Sequence, residues 1–141
     1  MHIKQINKFI SSQKSTQFYD KVQEALKEVL LKLSKKEYLK ITKNLILVVL
    51  HKGALGQVMH FPQSRGKFKI LQITFPKKIP LEVLRFVFAH EFGHVMQGRN
   101  WRKEDGDALE KDADLYATKI GFPKTRKITK WMKRYEKKFQ R

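Results

Sequence analysis

Ile3, Ile6 and Ile10 are spaced for one face of a short first helix. From Ser15 the apolar positions are Phe18, Val22, Ala25, Leu26, Val29, Leu30 and Leu33. They keep helical spacing and predict a backing helix packed on the core, with Ser15 as its N-cap. The period then changes. LILVVL, 45–50, is a short β-branched run between polar residues, which predicts a buried strand. Gly53 and Gly56 bracket an expected turn. Residues 55–61 and 67–75 are the next two strands, joined by PQSRG. In KFKILQITF the apolar parity slips between Ile70 and Leu71, so either both faces are covered or a bulge sits there.

Pro80 is expected to open the next helix, where its missing N–H costs nothing. That helix reads LEVLRFVFAHEFGHVMQ and stops near Gly98. Leu81, Leu84, Phe88, Phe92 and Val95 form its core stripe, and Val87, His90 and His94 lie on another face. A further helix begins around Asp105 to Asp107 and ends at Ile120, before Gly121 and Pro123. A last one covers roughly 124–139. The pattern predicts one α+β domain with N-terminal helices over 1–40, a sheet of three or slightly more strands over 41–79, and helices over 80–98, 105–121 and 124–141. No repeat or linker interrupts it.

The 141 residues, 41% of them hydrophobic, suit a single domain with a real core. Without cysteine, any metal must be held by His, Asp or Glu. The longest apolar run, LILVVL, is far below the roughly 20 residues that span a bilayer. The N-terminus lacks the apolar core of a signal peptide. A cytoplasmic protein without a transmembrane segment is expected. The net charge is +18, with 24 lysines against 7 arginines. Such a field attracts anions, and a lysine excess argues for weak, non-specific nucleic-acid binding at most. Six of the thirteen acids nevertheless fall within EDGDALEKDAD, Glu104 to Asp114. A cation is one reason for that cluster.

HEFGH, residues 90–94, holds two of the five histidines. Positions i and i+4 of a helix lie one above the other, so His90 and His94 can present both imidazoles to one ion. Glu91 is turned about 100° away and can reach a water bound to that ion instead. This is the logic of H-E-x-x-H zinc hydrolases, with Glu91 as general base. Gly93, costly inside a helix, fits a place where something approaches closely.

Catalytic zinc takes three protein ligands and keeps a fourth position open. No histidine follows His94, so the third ligand should be a carboxylate: Glu104, Asp105, Asp107, Glu110, Asp112 or Asp114. Glu110, Ala113, Asp114 and Ala117 share one helix face. The alanines allow tight packing on the HEFGH helix. Glu110 would then reach the metal, and Asp114 would accept a hydrogen bond from a ligand histidine. A capping box, with Asp107 as N-cap and Glu110 at its third position, is the competing role for Glu110.

HEFGH followed by Glu110-Lys-Asp-Ala113-Asp114-Leu-Tyr-Ala117 resembles the H-E-x-x-H … E-x-x-A-D-x-x-A signature of gluzincin metallopeptidases. It is similar to the core of the membrane-embedded CAAX-prenyl and heat-shock peptidases without their membrane helices, and most like the soluble minigluzincins. ImmA/IrrE-type peptidases share a related pattern. The resemblance spans about residues 45–122. It implies a small zincin fold with a backing helix, a twisted sheet, an active-site helix and a glutamate helix. It implies a zinc-dependent endopeptidase that is in some cases latent, as a zymogen, through a terminal segment in the cleft. It also implies a peptide or protein substrate added along an edge strand, for which residues 55–61 are the expected element. An oxyanion-stabilising side chain is expected as well. His60 and Tyr116 are candidates, beside plainer roles as a strand residue and a packed tyrosine.

The tail carries nine basic residues and one acid, Glu136, between Lys124 and Arg141. Ile128, Trp131, Met132, Tyr135 and Phe139 form an apolar stripe at helical spacing. The stripe could pack on the domain, lie on an anionic membrane, accompany phosphate binding, or enter the cleft. The alternative to a peptidase is a basic nucleic-acid-associated protein with a structural or vestigial zinc site, or a peptidase acting on DNA-bound proteins.

Overall fold

The computed structural model describes residues 3–17, 19–50, 56–60, 69–76, 78–98 and 106–139. Helix α1, Ile3–Ser12, buries Ile6 and Ile10. A 3-10 turn, Lys14–Thr16, then leads to α2, Asp20–Leu31. Val22, Ala25, Leu26, Val29 and Leu30 form the buried face of α2, at the expected spacing. Tyr19 precedes that helix, so Ser15 is not its N-cap. The Ser15 hydroxyl instead donates to Leu47 O at 2.6 Å. Phe18 lies outside the described residues.

Helix α3, Lys35–Thr42, starts in a capping box: Glu37 N–H donates to Ser34 Oγ, and Ser34 N–H donates to Glu37 Oε1. After Asn44, at φ 55°, the chain enters β1, Leu45–Leu50. β2, Gly56–His60, and β3, Lys69–Thr74, complete a sheet of order β1-β3-β2. β1 runs parallel to β3 and β2 antiparallel to it. The register of β3 is continuous with both neighbours, so no bulge explains its apolar parity. Leu71 and Ile73 are fully buried on one face, while Ile70 and Gln72 are half-buried on the other. Among the described residues β1 is an edge strand, and it is not buried throughout: Leu45 and Leu47 face the core, and Ile46 and Leu50 are exposed. Gly53, residue 55 and the PQSRG segment lie outside the described residues.

The two edges of this sheet differ. Gln13 donates its amide to Leu45 O at 3.1 Å and accepts from Leu47 N at 2.9 Å. With Ser15, this one side chain imitates a neighbouring strand along β1 and occupies hydrogen-bonding groups that an edge would leave open. β2 forms the opposite edge, and among the described residues no strand pairs with its outer side.

Helix α4, Leu81–Gln97, follows Pro80, which is its N-cap residue rather than its first turn. Its buried positions, including Val83, Leu84, Phe86, Val87, Phe88, Phe92 and Val95, surround the axis more widely than the expected stripe. A helix apolar on most sides is a central one. It packs on α2 and the sheet and against α5, Gly106–Lys119. Gly98 closes α4 at φ 63°, a conformation glycine adopts freely. The last helix, α6, Arg126–Phe139, buries Ile128, with Trp131 and Met132 partly buried against the core. Its root lies on the first half of α4: Lys127 pairs with Glu82 at 3.0 Å, and Lys124 Nζ sits 5.9 Å from the centre of the Phe86 ring. No helix among the described residues is long and apolar enough to cross a membrane.

Candidate metal centre

His90 and His94 stand one turn apart on α4, and α5 crosses that helix at Gly93. A Cβ at Gly93 would lie 2.9 Å from Ala113 Cα and 3.2 Å from Tyr116 Cβ. The close approach expected at this glycine is therefore made by α5. Ala113 and Ala117, both fully buried, are the small residues on the opposing face. This contact sets Glu110, one turn before Ala113, over the two histidines. Glu110 Oε2 lies 3.0 Å from His90 Nε2, and Oε1 lies 3.1 Å from His94 Nε2.

The ring orientations follow from the hydrogen bonds. His90 Nδ1 is 2.7 Å from Asp114 Oδ1. A carboxylate only accepts, so Nδ1 carries the proton and donates. Gln97 donates its Nε2 to Leu109 O at 2.8 Å, which turns its Oε1 to His94 Nδ1, also at 2.8 Å. His94 is therefore protonated on Nδ1 as well. Both Nε2 atoms then present lone pairs, 3.1 Å apart, and both face carboxylate oxygens. Burial, and then the imidazole of His94, hold the His90 pKa below its ordinary value, against the opposite pull of Glu110 and Asp114. Neutral imidazoles leave only acceptors pointing at one another. A cation resolves that arrangement. Two nitrogens bound tetrahedrally at 2.0–2.1 Å would be about 3.3 Å apart, close to the separation present. His90, His94 and Glu110 thus fit a divalent metal with N/O ligands, and Glu110, 62% exposed, opens the site to solvent.

Glu91 is buried, and among the described residues its Oε2 has no hydrogen-bond partner. Burial, and then the charge of Glu110, push its pKa up to about 8. An orphaned carboxylate oxygen beside a metal-ligand set is what a base awaiting a water molecule would look like.

Asp107 lies inside the first turn of α5, and Glu110 points to the histidines, so the capping-box role is not the one adopted. Glu104 and Asp105 lie outside the described residues. Tyr116 donates its hydroxyl to Glu37 Oε2 at 2.6 Å, tying α5 to α3. Burial, and then Glu37, raise its pKa. His60 ends β2, and its side chain lies outside the described residues. Gln97 was legible as the i+3 neighbour of His94 yet carried no expected role. Glu37 as the partner of Tyr116 had no local signal. Set against known protein families, characterised proteins and solved structures, the chain matches none.

Proposed function

We propose that the chain is a zinc-dependent endopeptidase of the gluzincin type, built on a minimal zincin fold. The observation that carries the reading is the convergence of His90, His94 and Glu110 beside a buried Glu91 with an unpartnered oxygen. Zinc held there would polarise the peptide carbonyl, acidify water and, through its charge, draw Glu91 back towards the ionised form. Glu91 accepts a proton from the attacking water as its oxygen bonds to the carbonyl carbon. It then delivers that proton to the amine nitrogen as the C–N bond breaks. Asp114 and Gln97 keep both imidazoles in the tautomer with Nε2 unprotonated.

Substrate binding fits β2. β1 is already engaged along its edge by Gln13 and Ser15, so among the described residues β2 is the edge left for an extended peptide. Main-chain hydrogen bonds would supply affinity there with little regard for sequence. The other reading, a nucleic-acid-associated protein with a structural zinc, gives no role to the buried carboxylate of Glu91.

Zinc content and cleavage of an unstructured protein test the proposal together. One zinc per chain is expected, falling sharply in His94→Ala and Glu110→Ala and unchanged in Asp107→Ala and Asp112→Ala. Retention of full zinc by Glu110→Ala would remove it from the ligand set. Stoichiometric zinc with no cleavage by the full chain would favour the structural reading.

A further inference from the structure

Helix α6 divides sharply. Ile128, Trp131, Met132 and Tyr135 occupy one side; Ile128 is 4% exposed, and Trp131 and Met132 pack on the core. The opposite side holds Arg126, Lys130, Lys133, Arg134 and Lys137, with Lys138 on its border by helical rotation, all exposed. Lys127, beside them, is tied to Glu82 at 3.0 Å. Glu136, the one acid, projects on the flank between the two faces by helical rotation.

Two features separate this face from an ordinary solvated one. An exposed helix usually alternates opposite charges at i and i+4, which stabilises it. Here the i, i+4 pairs Arg126/Lys130, Lys130/Arg134, Lys133/Lys137 and Arg134/Lys138 all repel. Such a pattern weakens the isolated helix, and a polyanion laid against it would offset the repulsion. The apolar side, meanwhile, is turned to the domain. A membrane-surface helix needs that side free to enter lipid.

We propose that the outward face of α6 binds the phosphate backbone of duplex nucleic acid. Arg126, Lys130, Lys133 and Lys137 form a row about 16 Å long at 1.5 Å per residue. That length of duplex carries about five phosphates per strand. Three of the five outward cations are lysines, which act as point charges and do not fork onto bases. The binding is therefore independent of sequence. The inference stands apart from the metal centre: loss of zinc would leave it intact.

The test is fluorescence anisotropy of a random-sequence DNA duplex with the full chain, across about 50 to 200 mM salt. A log–log slope of about −4 to −5 is expected from roughly five phosphate contacts. Lys130→Gln/Lys133→Gln/Lys137→Gln, at exposed helical positions, should reduce that slope by about 3. The control, Lys4→Gln/Lys8→Gln/Lys35→Gln, removes equal charge from exposed sites on other elements and should change it by less than about 1. Equal effects of the two triples would overturn the assignment and make the attraction diffuse. So would a wild-type slope shallower than about −2. Tighter binding to phosphatidylserine vesicles than to duplex at equal phosphate, with a blue shift of tryptophan emission, would replace nucleic acid by membrane.

Discussion

Gln97 Oε1 accepts from His94 Nδ1 at 2.8 Å, while the other end of the same amide donates to Leu109 O. One side chain thus orients an imidazole on α4 and fastens the start of α5, next to Glu110. Gln97→Ala should weaken zinc binding about 10 to 100-fold, the usual effect of losing a partner behind a ligand. Gln97→Glu keeps an acceptor for His94 but sets an oxygen against Leu109 O. It should hold zinc better than the alanine variant and melt at a lower temperature than wild type. Zinc titration against a chromophoric chelator, beside thermal melts, reads both effects. Wild-type zinc affinity in Gln97→Ala would refute the role.

Glu91 makes the metal-free chain sensitive to pH. Its pKa rises from 4.5 to about 8 on folding. Between those values the folded chain holds a proton that the unfolded chain has released. The stabilisation is complete below the unfolded value and is lost as pH rises through about 8. The slope approaches about 1.4 kcal/mol per pH unit. Glu91→Gln removes this contribution, so the metal-free variant should gain on wild type between pH 5 and pH 8. With zinc restored it should bind the ion normally and cleave nothing. Parallel stability curves for the two proteins would show that Glu91 is not buried as a neutral acid.

Gly93→Ala should destabilise the fold although alanine favours helix by about 1 kcal/mol. The new methyl would meet Ala113 Cα at 2.9 Å, and that backbone atom cannot rotate away. Overpacking costs about 1–3 kcal/mol. Separating α4 from α5 would also move Glu110 off the histidines, so zinc affinity should fall along with the urea midpoint. A stabilised variant would mean that the two helices part easily.

Tyr116→Phe distinguishes a brace from an oxyanion donor. Its hydroxyl is engaged with Glu37 at 2.6 Å, and hydrogen bonds to charged groups contribute about 1.5–3 kcal/mol. Stability should drop by that order, with turnover per folded, zinc-loaded chain unchanged. A selective fall in kcat would return Tyr116 to the reaction.

Periodicity made the helices legible because each has a distinct apolar face, as in Val22, Ala25, Leu26, Val29 and Leu30. The histidine pair is a local feature five residues long, and Glu110 shares its helix face with the alanines that set the packing. The errors came where distant groups decide the outcome. Ser15 looked like a helix cap, but its hydroxyl is taken by Leu47, 32 residues away. β1 looked buried because its residues are all apolar, yet no composition distinguishes an edge strand from a central one. The parity slip in β3 left two outcomes open, and the partial burial of Ile70 and Gln72 on the second face, with an unbroken register, selects cover over a bulge. Gly93 signalled a close approach correctly but not what makes it.

The plug that Gln13 and Ser15 form along β1 limits how this sheet can grow. A sheet with two open edges can pass pairing from molecule to molecule without end, which is the geometry of a fibre. With that edge stopped, the edge left open among the described residues is on β2. The same strand of a second copy, paired there, ends the series, because each copy then presents only its blocked β1 side among the described residues. Crowding should therefore yield stoichiometric pairs rather than filaments.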